Sequence, residues 1–438
     1  MAPLLIVLVG AALLFWPALL NGYPLVFSDT GGFLEQALMP DMGWDKPWIY
    51  GPFLTPFHAQ ISLWPAAFAQ ATILSAAVWL TQAVALRGAT AAMHLALCTL
   101  LAAGSAAPWF AATLMPDIFA PIVVLGLFIL AYGAGRMPRL HMFCVAIVAT
   151  IAIASHLAHL ILAAACIAML TVLRWRTMPT TAAPLAAALA LLLLSNIVGN
   201  GVAAISPYGA TFALARLVAD GPARDFIDHA CPHAQYRLCA WKGRLPTDSD
   251  QFLWDPYGPV WAEGYGPIRI APEAAQIVRA TLIAEPAAVL RAALRNTLQQ
   301  LVQVDIGDTL GSDHLVAAVL PRLQAYFPPE ESNRFAAGLQ AQGALRQHAL
   351  PFNALYEALL IIGAAGALAT AIHQRRRNPA LGGLSALVFV ALLANAFATG
   401  ALSGPHDRYQ ARIAWLVLLP PALALSQFST NRTRRRRP

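Results

Sequence analysis

The stretch HMFCVAIVATIAIASHLAHLILAAACIAMLTVLR, His141 to Arg174, decides how this chain is arranged. Between its two ends lie 32 residues without a formal charge. As one helix they would reach about 48 Å at about 1.5 Å per residue. The hydrocarbon core of a bilayer is only about 30 Å thick. The middle of the stretch, Ser155-His156-Leu157-Ala158-His159, is polar. Two readings compete: one long kinked helix, or a hairpin of two short spans.

The surrounding sequence is of the same kind. Of 438 residues, 58% are hydrophobic and 11% charged, with mean hydropathy +0.60. Soluble domains carry about 25% charge. So few charges cannot cover a soluble protein of this size, which excludes a cytosolic enzyme, a nucleic-acid binder and a disordered regulator. A polytopic membrane protein remains. Besides the central stretch, apolar runs long enough to be spans are Pro3–Leu20, Ile61–Leu86, Thr90–Ala107, Ile118–Gly133, Ala182–Val202, Ala354–Ile372, Leu381–Leu402 and Ile413–Phe428.

Charge placement chooses between the two readings. Short cytoplasmic loops are rich in Lys and Arg. With the hairpin there are ten spans, and an inner N-terminus puts 13 basic residues in inner loops and tail. These are Arg87, Arg136, Arg139, Arg174, Arg176, Arg375 to Arg377 and five in the tail from Arg432 to Arg437. Only Lys46, Arg408 and Arg412 lie in short outer loops. With nine spans the sorting reverses. All 21 acidic residues, Asp29 to Asp407, fall on the outer side of the ten-span reading. Carboxylate chemistry then belongs to the outer face. The net charge of +7 reflects the inner arginines and needs no polyanion; no nucleic-acid partner is expected.

The organisation follows. Residues 1–202 hold spans one to seven with an outer loop at 22–60, and 203–353 form an extracytoplasmic, mostly helical domain. Residues 354–428 hold spans eight to ten, and 429–438 are a basic cytoplasmic tail. The apolar start lacks a basic n-region and a small-x-small cleavage site, so it reads as a retained span. In the outer loop, 32–39 can form a surface helix, and Trp44, Trp48 and Tyr50 suit the headgroup interface. Glu35 and Lys46 read as solvated loop residues. In 203–353, apolar residues at helical spacing over 272–304 predict two helices, the second starting at Pro286. Cys231 and Cys239 lie eight apart in an oxidising compartment and predict a disulfide; zinc held by Cys231, His233 and Cys239 is the alternative. Twenty-six arginines against two lysines, with short loops, suit a bacterial inner membrane.

Four outer loops bring polar groups to one depth, where ionisable side chains are costly and mark sites. They are Ser28-Asp29-Thr30, Met115-Pro116-Asp117, His156 with His159, and His406-Asp407-Arg408-Tyr409-Gln410-Ala411-Arg412. No acid, histidine or arginine is expected deep in the bundle. Each group also has a plain structural reading: Asp29 and Asp117 could cap helices, the histidines could satisfy a helix break, and Arg408 could pair with Asp407.

An acid in the first outer loop beside a surface helix, a second acidic outer loop and an Arg-Tyr pair opening the last span resemble the GT-C superfamily of integral-membrane glycosyltransferases. The resemblance implies a GT-C-like bundle that moves a sugar from a polyprenyl-phosphate donor to a glycan, lipid or protein acceptor at the outer face. It implies Asp29 as catalytic base and Arg408, with Tyr409 and Arg412, as the lipid-phosphate site. His156, His159 and Asp117 would contact substrate. The Asp-x-Asp and Asp-x-Glu forms of some members are absent here. Their metal dependence therefore does not carry over, no metal ligand is assigned, and a divalent cation is left open. A lipid or solute flippase, or a His/Arg-dependent oligosaccharide ligase or polymerase, is the alternative.

Overall fold

The computed structural model describes residues 2–39, 42–231 and 233–435, with backbone only for 2 and 428–435. Asp41 and the tail arginines Arg436 and Arg437 lie outside the described residues. Among the described residues the chain is helical and has no strand; one isolated parallel bridge joins Leu25 and Thr113.

The membrane-facing part contains α1 (Ala2–Leu14), then α2 (Ser28–Leu38) and α3 (Tyr50–His58) in the first loop, α4 (Trp64–Leu86), α5 (Ala91–Gly104), α6 (Phe119–Tyr132), α7 (Arg139–Ala154), α8 (Leu157–Arg174) and α9 (Met178–Asn200). The segment 203–353 carries α10 (Gly209–Asp220), α11 (Pro267–Ala284), α12 (Pro286–Val302) and α13 (Leu315–Tyr326), and α14 (Asn353–Arg377), α15 (Pro379–Ala396), α16 (Asp407–Ala414) and α17 (Leu419–Arg435) follow.

The central stretch breaks at its polar middle. Ser155 closes α7 by donating its hydroxyl to the Ile151 carbonyl, 2.7 Å away. His156 is extended (φ −152°, ψ 131°), and its Nδ1 accepts from the Ala158 N–H at 3.2 Å. The histidine thus satisfies one of the orphan donors at a helix start. The two helices run about 24 and about 27 Å at about 1.5 Å per residue, close to one hydrocarbon thickness each. Arg174 leaves helical geometry (φ −149°, ψ 58°), and a 3₁₀ turn at Trp175–Thr177 leads into α9, which packs back on both α7 and α8.

Four helical segments are long and apolar enough to cross a membrane: Trp64–Leu86, Leu157–Asn200 (α8 and α9 joined through that turn), Leu345–Arg377 and Pro379–Ala401. Shorter apolar helices are Pro3–Leu14, Ala91–Gly104, Pro116–Tyr132 and Arg139–Ala154. Every residue of α6 is buried, as expected of a helix that is apolar all round and central in its bundle. The outer helices instead expose apolar side chains such as Val172, Val198 and Ile361.

The segment 203–353 is shared between two cores. Leu214, Val218, Ile227, Phe252, Ile270 and Ile277 form a small core of their own. Ile306, Leu315, Val319, Leu323 and Phe335 instead join the core of the bundle. The pair α11 and α12 divides at Pro286. The sulfurs of Cys231 and Cys239 are bonded.

Three sequence expectations change. Tyr50 is no headgroup anchor: it is fully buried, with its hydroxyl on Gln70. Trp48 donates to the Gln36 carbonyl at 2.9 Å, and Trp44 stacks on Phe212 at 4.9 Å. The loop is folded back onto protein, so its aromatics have protein partners. Lys46 and Glu35 are paired rather than free in solvent, as described below. His94 is a buried histidine inside the bundle, 3.1 Å from the Ser75 hydroxyl.

Candidate functional site

Backbone pairing brings the loops that carry Asp29 and Asp117 together. The Leu25 N–H donates to Ala112 O at 3.0 Å, and the Leu114 N–H to Leu25 O at 2.8 Å. Thr30 adds a second tie: its hydroxyl accepts from the Phe27 N–H and donates to Leu114 O, each at 2.9 Å. Asp29 sits in the first turn of α2 and Asp117 just past Leu114, so these bonds set both acids beside one another's loops. Phe27, not Asp29, holds the cap position.

Two residues of the 203–353 segment lock the arrangement. Gln340 is buried; it accepts from the Val26 N–H and donates to the Val26 and Thr309 carbonyls. Glu331 is also buried, and one of its oxygens accepts from the Tyr23 hydroxyl, the Ser62 hydroxyl and the Leu63 N–H. A buried carboxylate is tolerated when its lone pairs are filled in this way.

The floor of the site is a buried ion pair. Arg412 Nη1 donates to Asp117 Oδ1 at 3.1 Å, with side-chain exposures of 0% and 5%. Its Nη2 donates to Asn395 Oδ1 at 3.0 Å. The Asn395 amide then donates to Tyr409 O at 2.6 Å and Gln410 Oε1 at 2.9 Å. Asn395 lies at the end of α15, where the helix opens into a π turn at Phe397–Ala401. Such turns interrupt the regular bond ladder and recur at functional sites.

Arg408 lies one turn before Arg412 on α16. Its guanidinium stacks over the rings of Phe27 at 4.4 Å and Tyr409 at 4.7 Å. Nη2 reaches the Tyr409 hydroxyl at 3.1 Å, and the backbone N–H donates to Asp308 Oδ2 at 2.9 Å. The carboxylates of Asp117 and Asp29 both act on this cation. Nη1 of Arg408 is buried without a hydrogen-bond partner, as are Nε of Arg412 and Nε2 of His159. Burial raises the pKa of the Asp308 carboxyl, against the opposing bond and charge of Arg408.

Asp29 is a third exposed and 3.2 Å from Lys46 Nζ, which also holds Asp45 at 2.6 Å. Burial works against the lysine charge, but Asp29 and Asp45 outweigh it and raise the Lys46 pKa. Glu35, two turns along α2, pairs with Arg322 at 2.9 Å. The His156 and His159 rings lie tilted against each other with centroids 5.1 Å apart, and His159 Nδ1 binds the Ala152 carbonyl at 2.7 Å. The charges of Arg412 and Arg408 reach His156, and those of Arg412 and Asp117 reach His159.

The structure therefore gathers Asp117, His156, His159, Arg408, Tyr409 and Arg412 into one cluster. Asp29 stands at its edge on the Lys46 side. Lys46, Asn395 and Asp308 were not among the candidates. Lys46 is one of two lysines in the chain, and Asn395 is a lone amide in an apolar span, so both carried a signal. Among the described residues no three His, Cys, Asp or Glu side chains gather as a metal site. No family model, curated protein or solved structure matches the chain.

Proposed function

We propose that this protein is a GT-C-like membrane glycosyltransferase that takes a sugar from a polyprenyl-phosphate donor at the outer face of a bacterial inner membrane. The observation that carries the reading is the cluster itself: a carboxylate at the rim, and the half-buried Arg408 with one buried, unfilled guanidinium nitrogen. An unpaired buried donor is costly, and an anionic ligand relieves that cost. Ten spans with both termini inside agree with the charge sorting and with the break at His156.

In this reading the donor phosphate meets Arg408 Nη1. Asp29, paired with Lys46, takes the proton of the acceptor hydroxyl. The acceptor oxygen bonds to the anomeric carbon while the bond from that carbon to the phosphate oxygen breaks, so configuration inverts. The electron pair leaves with the polyprenyl phosphate, whose charge Arg408 stabilises. Arg412 is a positioning residue, since its fork is spent on Asp117 and Asn395. The acceptor is a glycan, lipid or protein hydroxyl.

The test is transfer by purified protein in lipid nanodiscs. Asp29→Asn should lower transfer from a polyprenyl-phosphate sugar by about 10²- to 10⁴-fold, the range for a general base. Undiminished transfer removes Asp29 from that role. The unpaired His159 Nε2 favours a second reading, a His/Arg-dependent ligase or polymerase. Loss at His159→Gln with tolerance at Asp29→Asn would select it.

A further inference from the structure

A cavity of about 560 Å³ lies at the far end of the bundle from this cluster. Two helices measure the separation. The first, α8, starts at the His156 cap and ends at Arg174 in the cavity wall, 18 residues or about 27 Å away. The second, α15, runs from Pro379 in the wall to Asn395 in the cluster.

The walls carry Arg174, Arg176 and Arg375. Arg174 stacks on Tyr132 at 4.6 Å and Arg176 on Trp175 at 5.6 Å. Among the described residues none of the three arginines has a carboxylate partner. The charges of Arg87 and Arg174 act on Arg136 nearby, so positive charge accumulates here without an internal counter-ion. The room for Tyr132 depends on Gly383, where a Cβ would strike the tyrosine hydroxyl. Beside the arginines the wall is apolar and open: Trp175 is 70% exposed and Leu173 47%.

Cations around a hollow with an apolar lip fit a ligand that is anionic at one end and hydrocarbon at the other. We propose that this cavity holds the phosphate head of an anionic membrane phospholipid, with its acyl chains against Leu173 and Trp175. Arginine suits phosphate because its planar fork binds two oxygens at once, and basic pockets between helix ends attract anionic heads. A free phosphate would use the same arginines but leave the apolar lip uncovered.

The test is native mass spectrometry of the full-length protein with phosphatidylglycerol, phosphatidylcholine or inorganic pyrophosphate. Phosphatidylglycerol should be retained over phosphatidylcholine by about tenfold. That preference should vanish in Arg174→Gln/Arg375→Gln and persist in Arg376→Gln, which removes a neighbouring charge outside the cavity wall. Arg375 is exposed, so Arg375→Gln alone decides the matter if the double variant does not fold. An unchanged preference in the variants, equal retention of the zwitterionic lipid, or pyrophosphate binding as tightly as phosphatidylglycerol would overturn the proposal.

Discussion

At the scale of single residues, the cluster is built on matched and unmatched charges. Asp117 and Arg412 satisfy one another out of water. Removing either leaves a lone buried ion, so Asp117→Ala or Arg412→Ala should cost about 3–5 kcal/mol. Thermal unfolding in detergent reads this, and a cost below about 1 kcal/mol would mean that the pair is solvated. The lysine beside Asp29 gives a pH prediction. Its folded pKa is raised, so its stabilising contribution is full below the ordinary lysine value of 10.5 and is lost as pH rises through the raised value. The Tm difference between the protein and Lys46→Met should therefore stay constant from about pH 7 to about pH 9. A difference that shrinks over that window would show a lysine not held by its two acids. Asp29, Asp117 and the Arg-Tyr pair stood out in the sequence because polar residues are conspicuous where apolar runs end. Asp308 did not stand out, because its role depends on a backbone donor at Arg408, about a hundred residues later, that no local pattern reveals.

At the scale of elements, close backbone approaches hold the site's supports in place. A Cβ at Gly31 would collide with the carbonyl oxygen of Ala318 on α13, a backbone atom that cannot rotate aside. Gly31→Ala should therefore push α2, and Asp29 with it, away from α13. A loss of about 1–3 kcal/mol is the usual cost of such overpacking. Circular dichroism melts check the loss, and wild-type stability would mean that the helices slide freely. The break between α7 and α8 was legible from length, a polar middle and loop charge together, since 32 uncharged residues exceed one bilayer crossing and the arginines sort only with a hairpin. The fate of Trp44, Trp48 and Tyr50 was not. Aromatics in a loop suit a lipid interface and a folded loop equally well, and only the partners Gln36, Gln70 and Phe212 distinguish them.

At the scale of the molecule, charge is sorted along the bundle. Asp117 of the cluster acts on His159 at one end of α8, and the cavity arginines, which lack a carboxylate partner, lie at the other. The sorting was readable from sequence because loop charge is a local property. The sharing of 203–353 between two cores was not, because it depends on which apolar faces meet. In a cysteine-free background, Asp228→Cys should react with an impermeant maleimide from outside the cell. Arg376→Cys should react only after the membrane is opened; the reverse pattern would invert the topology.

The central claim is that a lipid-linked phosphate sits between Asp29 and Arg408. A cryo-electron microscopy structure with bound polyprenyl phosphate tests it most directly. The expected result is density for the phosphate within hydrogen-bond reach of Arg408 Nη1, with Asp29 facing the same space. Phosphate density away from both residues, for example only among Arg174, Arg176 and Arg375, would contradict the transferase site.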